Sequence, residues 1–156
     1  MPDDGAKNLI GRERSVFITK SELETEALGE KLGQRLSPGD VVSISGELGA
    51  GKTCLVRGIA RGLGSSSKVK SPSFTIINSY PGRCPIYHFD LFRVEGYSSF
   101  EELGCYDLFG GDGVVVIEWG EKAGTFLPDD RLEVEIKFRS QDEREITISG
   151  LVGVSR

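Results

Sequence analysis

The consecutive residues Gly46-Glu47-Leu48-Gly49-Ala50-Gly51-Lys52-Thr53 follow the pattern G-x-x-x-x-G-K-[ST], the phosphate-binding P-loop. Wrapping a backbone around a polyphosphate needs its N–H groups to converge, in conformations that side chains obstruct. Gly46, Gly49 and Gly51 remove that obstruction. The apolar run Asp40 to Ser45 stands before the loop and a helical pattern after it, so a helix N-terminus faces the same anion. Lys52 then supplies a mobile positive charge for the β- and γ-phosphates, and the Thr53 hydroxyl is placed for the Mg²⁺ between them. The stretch Glu47, Leu48, Gly49, Ala50, Gly51, Lys52, Thr53 and Cys54 is therefore expected to contact a nucleoside triphosphate.

Such a site needs a carboxylate at the end of a neighbouring strand, holding Mg²⁺ directly or through water. Two residues qualify. Glu118 closes the all-apolar Val114-Val115-Val116-Ile117; Asp90 closes Ile86-Tyr87-His88-Phe89-Asp90, where alternation puts His88 and Asp90 on one face. The competing readings are a strand-end acid facing water for Glu118, and a turn residue or an ion pair with Arg93 for Asp90. His88 reads equally as a hydrogen-bonded structural histidine or a site histidine. Trp119, the one tryptophan, reads more readily as core than as a ligand contact.

The elements that must position these groups follow from period and punctuation. Ser15 to Thr19 reads as a strand, and Ser21 with Glu24 makes a capping box that opens a helix to about Leu36, with Leu28, Leu32 and Leu36 on one stripe. Ser37-Pro38-Gly39-Asp40 turns the chain into the P-loop strand. After Thr53, Val56, Ile59, Ala60 and Leu63 share a helical face, with Gly62 and Gly64 closing the helix. Ser65 to Ser73 is a loop in which Ser71, Ser73 and Thr75 read equally as γ-phosphate sensors or as a solvated connector. Phe74 to Tyr80 and Pro85 to Leu91 read as a hairpin through Pro81-Gly82-Arg83, and about Ser98 to Leu103 as helix. Val114 to Ile117, with no polar member, predicts a strand buried on both faces of a largely parallel sheet. Leu132 to Phe138 and Glu145 to Ile148 alternate, which predicts half-exposed antiparallel strands near a sheet edge. The expected fold is α/β of the P-loop NTPase type: three layers, a mostly parallel central sheet and antiparallel edge strands.

At 156 residues the chain fits a single domain, with residues 1–14 as a polar extension. A net charge of −5 and a pI near 5.0 argue against a broad basic face, so direct binding of DNA is not expected and any RNA connection runs through partners. Cys54, Cys84 and Cys105 are odd in number and widely spaced, against a zinc site or disulfide framework. No run approaches membrane-spanning length and the first residues do not form a signal peptide, which makes the cytoplasm the expected location.

Gly46 to Thr53, then Lys70-Ser71-Pro72-Ser73-Phe74-Thr75, Tyr87-His88-Phe89-Asp90-Leu91-Phe92-Arg93, Ile117-Glu118-Trp119 and Leu127-Pro128 occur in the order and spacing of the TsaE (formerly YjeE) family of bacterial P-loop ATPases. The chain resembles that family from about Ser15 to Ile148. The resemblance implies ATP and Mg²⁺ binding, ATP hydrolysis, and a role in the threonylcarbamoyladenosine modification of tRNAs reading codons that begin with A. It also implies work with a TsaB–TsaD pair, of which TsaD carries the transferase chemistry, and contact with tRNA through that pair. Carried onto this chain, Lys52 contacts the phosphates, Thr53 and Glu118 ligate Mg²⁺, and Asp90 supports the metal or the attacking water. Trp119 lines the active site, and Glu22 to Thr25 lies near the base. Two departures stand out: Ser73 where threonine is usual, and Gly120 where proline is common, the latter expected to affect only local stiffness.

Two other readings share the P-loop. A small-molecule kinase would pass the γ-phosphate to a hydroxyl, and an ATP-gated binding module would use nucleotide to order the Ser71–Thr75 loop, with hydrolysis incidental. A GTPase is disfavoured, because Asn8 and Asn78 are the only asparagines and neither is followed by lysine.

Overall fold

Val114, Val115, Val116, Ile117 and Glu118 form one strand of the computed structural model, which describes residues 14–71, 77–94 and 104–150, and every residue of that strand is buried. A strand with no polar alternation must be covered on both faces, and this one lies at the interior of a seven-stranded sheet. In chain order the strands are β1 (Ser15–Thr19), β2 (Val41–Gly46), β3 (Ile77–Tyr80), β4 (Ile86–Asp90), β5 (Val114–Glu118), β6 (Leu132–Phe138) and β7 (Arg144–Gly150). Across the sheet they run β1-β7-β6-β2-β5-β4-β3. β6, β2, β5 and β4 are mutually parallel, while β1, β7 and β3 pair antiparallel. The expected parallel centre and antiparallel edges are both present. The lateral place of β6 differs from expectation: it is antiparallel only to β7 and runs parallel to β2, and the edge belongs to β1. Alternation reports that one face of a strand is uncovered and carries no information about which strands flank it.

Two helices cover one face. The first, α1 (Glu22–Arg35), begins at Ser21, whose Oγ accepts from the Glu24 N–H at 3.1 Å. Glu24 reaches back to the N–H of Lys20 at 2.8 Å, one residue earlier than a reciprocal capping box requires. The second, α2 (Lys52–Gly62), ends in a Schellman motif: Gly64 takes φ +85°, its N–H donates to Arg61 O and the Ser65 N–H to Ala60 O. Gly64 is thus the stop signal, and Gly62 has a different task. Gly29 and Gly33 of α1 meet Gly58 and Gly62 of α2 at backbone contact, where added Cβ atoms would strike the facing main chain. Arg61 flanks the seam with ion pairs to Glu26 at 3.0 Å and Glu30 at 3.6 Å, and Arg83, from the β3–β4 turn, donates to Gly33 O, Leu36 O and Gly62 O, tying together the ends of both helices.

A Cβ on Gly58 would stand 2.9 Å from Glu26 C and 3.0 Å from Glu30 N, both backbone atoms. Gly58→Ala is therefore expected to destabilise by about 1–3 kcal/mol, more than the helix-propensity gain of up to ~1 kcal/mol recovers. Calorimetry should record a Tm several degrees lower, and an unchanged or higher Tm would mean that the helices separate without cost.

The core divides at the sheet. Leu28, Leu32, Leu55, Ile59, Val42, Ile44 and Val116 pack on the helix side. Val41, Phe89, Leu91, Val115 and Ile117 face the opposite side, where Ala123 and Leu127, the residues that close two short 3₁₀ turns (Gly120–Lys122 and Gly124–Phe126), meet them. Ser73, Thr75, the start of the Phe74 strand and the expected helix near Ser98 to Leu103 lie outside the described residues. No helix among the described residues is long and apolar enough to cross a membrane.

Candidate functional site

The parallel strands β2, β5 and β4 end side by side, and a crevice at the carboxyl ends of parallel strands is where open α/β sheets bind ligands. β2 delivers Gly46, β5 delivers Glu118 and β4 delivers Asp90, with Asp90 in register opposite Glu118 on the helix side of the sheet. The loop that leaves β2 has glycines in the left-handed region at Gly49 (φ +81°) and Gly51 (φ +110°). The two have open room: the nearest atom to a Cβ on Gly49 is 4.0 Å away, and none lies within 4 Å of one on Gly51. They are therefore required by backbone conformation, whereas a Cβ on Gly46 would stand 2.6 Å from Ile136 O. Gly51 is also the N-cap of α2 and offers no side-chain acceptor, so the first N–H groups of the helix are left for a ligand or solvent.

Lys52 is 5% exposed. Its Nζ donates to Gly46 O at 2.6 Å and Glu47 O at 2.8 Å and lies 4.1 Å from the centre of the Trp119 ring. Burial lowers its pKa, against the opposing pull of Glu118, Glu121 and Asp90. A cation bonded to two neutral carbonyls and an aromatic face is poised to exchange them for anionic oxygens.

Thr53 Oγ1 donates to Glu118, with oxygens at 2.9 and 3.0 Å, and stands 3.1 Å from Ser71 Oγ. Ser71 Oγ in turn donates to Asp90 Oδ2 at 3.1 Å. Each hydroxyl has one proton, and each proton is directed at a carboxylate. What remains between the four groups is lone pairs on hard oxygen donors, which suits Mg²⁺. Among the described residues no group of three or more His, Cys, Asp and Glu could hold a metal ion.

Glu118 does not face water; it is 2% exposed, and His88 Nε2 lies 2.6 Å from its Oε2. With Glu118 ionised, Nε2 is the donor. His88 Nδ1 lies 3.2 Å from Tyr80 OH, whose single proton also has Lys70 O in reach at 3.1 Å, so the buried histidine joins the site carboxylate to the segment that carries Ser71. The two readings of His88 merge: it is hydrogen-bonded, fully buried and in contact with the site. Asp90 makes a turn contact, its Oδ1 accepting from the Phe92 N–H at 3.0 Å, while its Oδ2 faces Ser71.

Trp119 takes φ +60°, the one non-glycine residue in the left-handed region among those described, and its ring packs on Phe92 at 5.1 Å. A strained backbone persists where surroundings enforce it. Here the next residue, Gly120, is pressed against Ser43, and any Cβ would collide with the Ser43 side chain. Gly120 thus does more than relax the chain: in this packing a side chain there would have to displace Ser43.

One cleft of about 310 Å³ is lined by Glu22, by Leu48, Gly49 and Gly51 to Cys54 of the loop, and by Ser71, Asp90, Glu118 and Trp119. The structure brings most of the expected site residues to it. Three stand elsewhere. Glu47 lines a neighbouring cleft of about 550 Å³ behind Trp119; Ala50 and Thr25 line a cavity of about 320 Å³ that continues past Gly49 and Gly51. Glu22 and Cys54 line both spaces that meet at the loop, with Cys54 Sγ donating to Glu22 O at 3.2 Å. Burial, then Glu26 and Glu22, push the Cys54 thiol up to about 11, so it is a packing group and not a nucleophile. Thr25 is buried against Thr19, its hydroxyl 2.8 Å away. Sequence reasoning missed Tyr80 and Arg144. Hairpin register puts Asn78 opposite His88 and Tyr80 opposite Ile86, which would have placed Tyr80 on the His88 face.

The family model described as Threonylcarbamoyl adenosine biosynthesis protein TsaE matches residues 19–146. The tRNA threonylcarbamoyladenosine biosynthesis protein TsaE of Bacillus subtilis is 43% identical over 129 residues, spanning 82% of this chain and 80% of that protein. The protein of the same name from Treponema pallidum is 37% identical over 132 residues, spanning 85% and 98%. Among solved structures, the crystal structure of Bacillus subtilis YdiB is similar with a TM-score of 0.77 and 36% identity, covering 89% of this chain and 86% of that one.

Proposed function

The chain belongs to the TsaE family, and on that premise we propose that it is a Mg²⁺-dependent ATPase serving the threonylcarbamoyladenosine modification of tRNAs that read codons beginning with A. In this reading it acts in the cytoplasm with a TsaB–TsaD pair and meets tRNA through that pair. The observation that carries the reading is the convergence of Lys52, Thr53, Glu118 and Asp90 on one cleft at the N-terminus of α2.

The residues divide the work by their chemistry. The loop from Gly46 to Gly51 offers backbone N–H groups to phosphate oxygens, and Lys52 releases the Gly46 and Glu47 carbonyls to bind them. Thr53 Oγ1, Glu118 and Asp90 would hold Mg²⁺, which when bound neutralises charge on the β- and γ-phosphates. His88 fixes the Glu118 carboxylate, so its orientation needs no adjustment as ligand enters. Asp90, which accepts from the Ser71 hydroxyl at 3.1 Å at the start of the loop expected to sense the γ-phosphate, serves to orient the attacking water. Glu22 and Thr25, beside the loop, border the space for the base.

Steady-state ATP hydrolysis by the purified chain with Mg²⁺, alone and with added TsaB–TsaD and tRNA, tests this. Slow turnover that the pair accelerates is expected. Turnover accelerated instead by a small hydroxyl-bearing acceptor would favour a kinase, and no ATP binding under any condition would refute the site.

A further inference from the structure

We propose that Arg144 is a positioning residue for the phosphate loop: it fixes the Ala50–Gly51 peptide so that the loop is shaped before any ligand arrives. The proposal rests on the reading of residues 46–53 as a phosphate site. Arg144 opens β7 opposite Phe138 of β6, and its guanidinium carbon lies 4.2 Å from the centre of the Phe138 ring. One guanidinium nitrogen, Nη1, donates to Gln141 O at 3.1 Å, Glu143 O at 3.2 Å and Ser140 O at 3.4 Å, so the whole β6–β7 turn is gathered on this side chain. Nε points elsewhere. It donates to Ala50 O at 3.0 Å, across 94 residues of sequence.

That bond matters because of what the Ala50 carbonyl is attached to. Ala50 stands between Gly49 and Gly51, both in the left-handed region, and glycines on either side leave the peptides free to rotate. In a planar trans peptide the C=O and the next N–H point in opposite directions. Holding the Ala50 carbonyl on Arg144 therefore turns the Gly51 N–H away from Arg144. The cleft of Lys52, Thr53 and Glu118 does not include Arg144, which lines only the adjoining cavity. The Ala50 N–H is fixed separately, on Glu47 O at 3.0 Å. An arginine suits this post better than a lysine: its planar fork serves two directions at once, the turn through Nη1 and the loop through Nε.

The alternative is that Arg144 touches the nucleoside, since it shares a cavity with Glu22 and Thr25. Two probes separate the cases. Dissociation constants of Mg²⁺-tripolyphosphate and of a non-hydrolysable Mg²⁺-ATP analogue are measured by calorimetry for the full chain, for Arg144→Ala and for Arg144→Lys. Amide hydrogen exchange at Ala50, whose N–H is held on Glu47 O, is followed in the apo proteins, and circular dichroism and Tm establish that each variant folds. The expected result is that both ligands weaken by the same factor, roughly 10- to 100-fold, in both variants, with faster exchange at Ala50. Weakened ATP analogue with unchanged tripolyphosphate would overturn the proposal in favour of a nucleoside contact. Unchanged affinity for both, in a wild-type protein that binds both, would overturn it while leaving the phosphate site intact. Should Arg144→Ala fail to fold, Arg144→Lys, which keeps the charge and the stem over Phe138, gives the deciding comparison. A wild-type chain that binds neither probe would refute the phosphate site itself.

Discussion

Lys52→Ala is expected to abolish tight ATP binding while leaving the fold as stable as before. Two of the lysine's three N–H donors are held by Gly46 O and Glu47 O. Hydrogen bonds to charged groups are worth about 1.5–3 kcal/mol each, so losing two from a bound triphosphate weakens binding on the order of 100- to 10,000-fold. Stability goes the other way. Burial lowers the folded-state pKa of Lys52 below 10.5. The unfolded chain therefore holds this proton more tightly, and wherever both states are protonated the group carries its full penalty against folding. That penalty shrinks only as pH rises from the folded pKa towards 10.5. Near neutral pH removing the side chain relieves that penalty but also frees the Gly46 and Glu47 carbonyls, so the net change in stability is expected to be small, and Lys52→Met, which keeps the stem beneath Trp119, isolates the charge. Calorimetry with an ATP analogue and a thermal melt check the two halves. A variant that melts much earlier than wild type would make Lys52 a structural residue.

Glu118→Ala has a different signature: phosphate contact survives in large part, and Mg²⁺-dependent turnover falls by about 100- to 1,000-fold, the size of losing one well-placed electrostatic contact. The same change strands His88. Its Nε2 loses a partner inside the core, at a cost of about 1–3 kcal/mol, so part of any lost activity would reflect stability. Glu118→Gln separates the effects, because its amide oxygen still accepts from His88 while the metal loses a carboxylate. Binding of an ATP analogue titrated against Mg²⁺ should lose its metal dependence in the glutamine variant, with Tm close to wild type. Wild-type turnover in Glu118→Ala would sink the metal assignment.

The groups that could be read from the chain are those whose neighbours in sequence are also their neighbours in space. Gly46 to Thr53 carry their geometry locally, and Glu118 declared itself by ending a run of four apolar β-formers. Asp90 and His88 were placed on one face by strand alternation alone, and register then set Asp90 beside Glu118. The reciprocal bonding of Glu118 was not legible, since whether a strand-end acid meets water or a histidine depends on which strand lies next to it. Nor was the helix seam. Gly29, Gly33, Gly58 and Gly62 look like weak points in helical segments until the second helix is present to touch them. Arg144 offers no signal at all, because its turn would read the same whichever loop lay beyond it.

Among the described residues β1 pairs only with β7, the last of the described strands, with Ser15 opposite Ile148. During synthesis on a ribosome, the first strand made must wait for the last before it has a neighbour. Arg144 is the first residue of that same last strand, and it carries the bond to Ala50. The parallel centre of the sheet can assemble on the nascent chain once β6 has emerged, yet the brace on the phosphate loop arrives only with β7. A chain released early would keep every residue of the G-x-x-x-x-G-K-T motif and lack the part that holds it in shape.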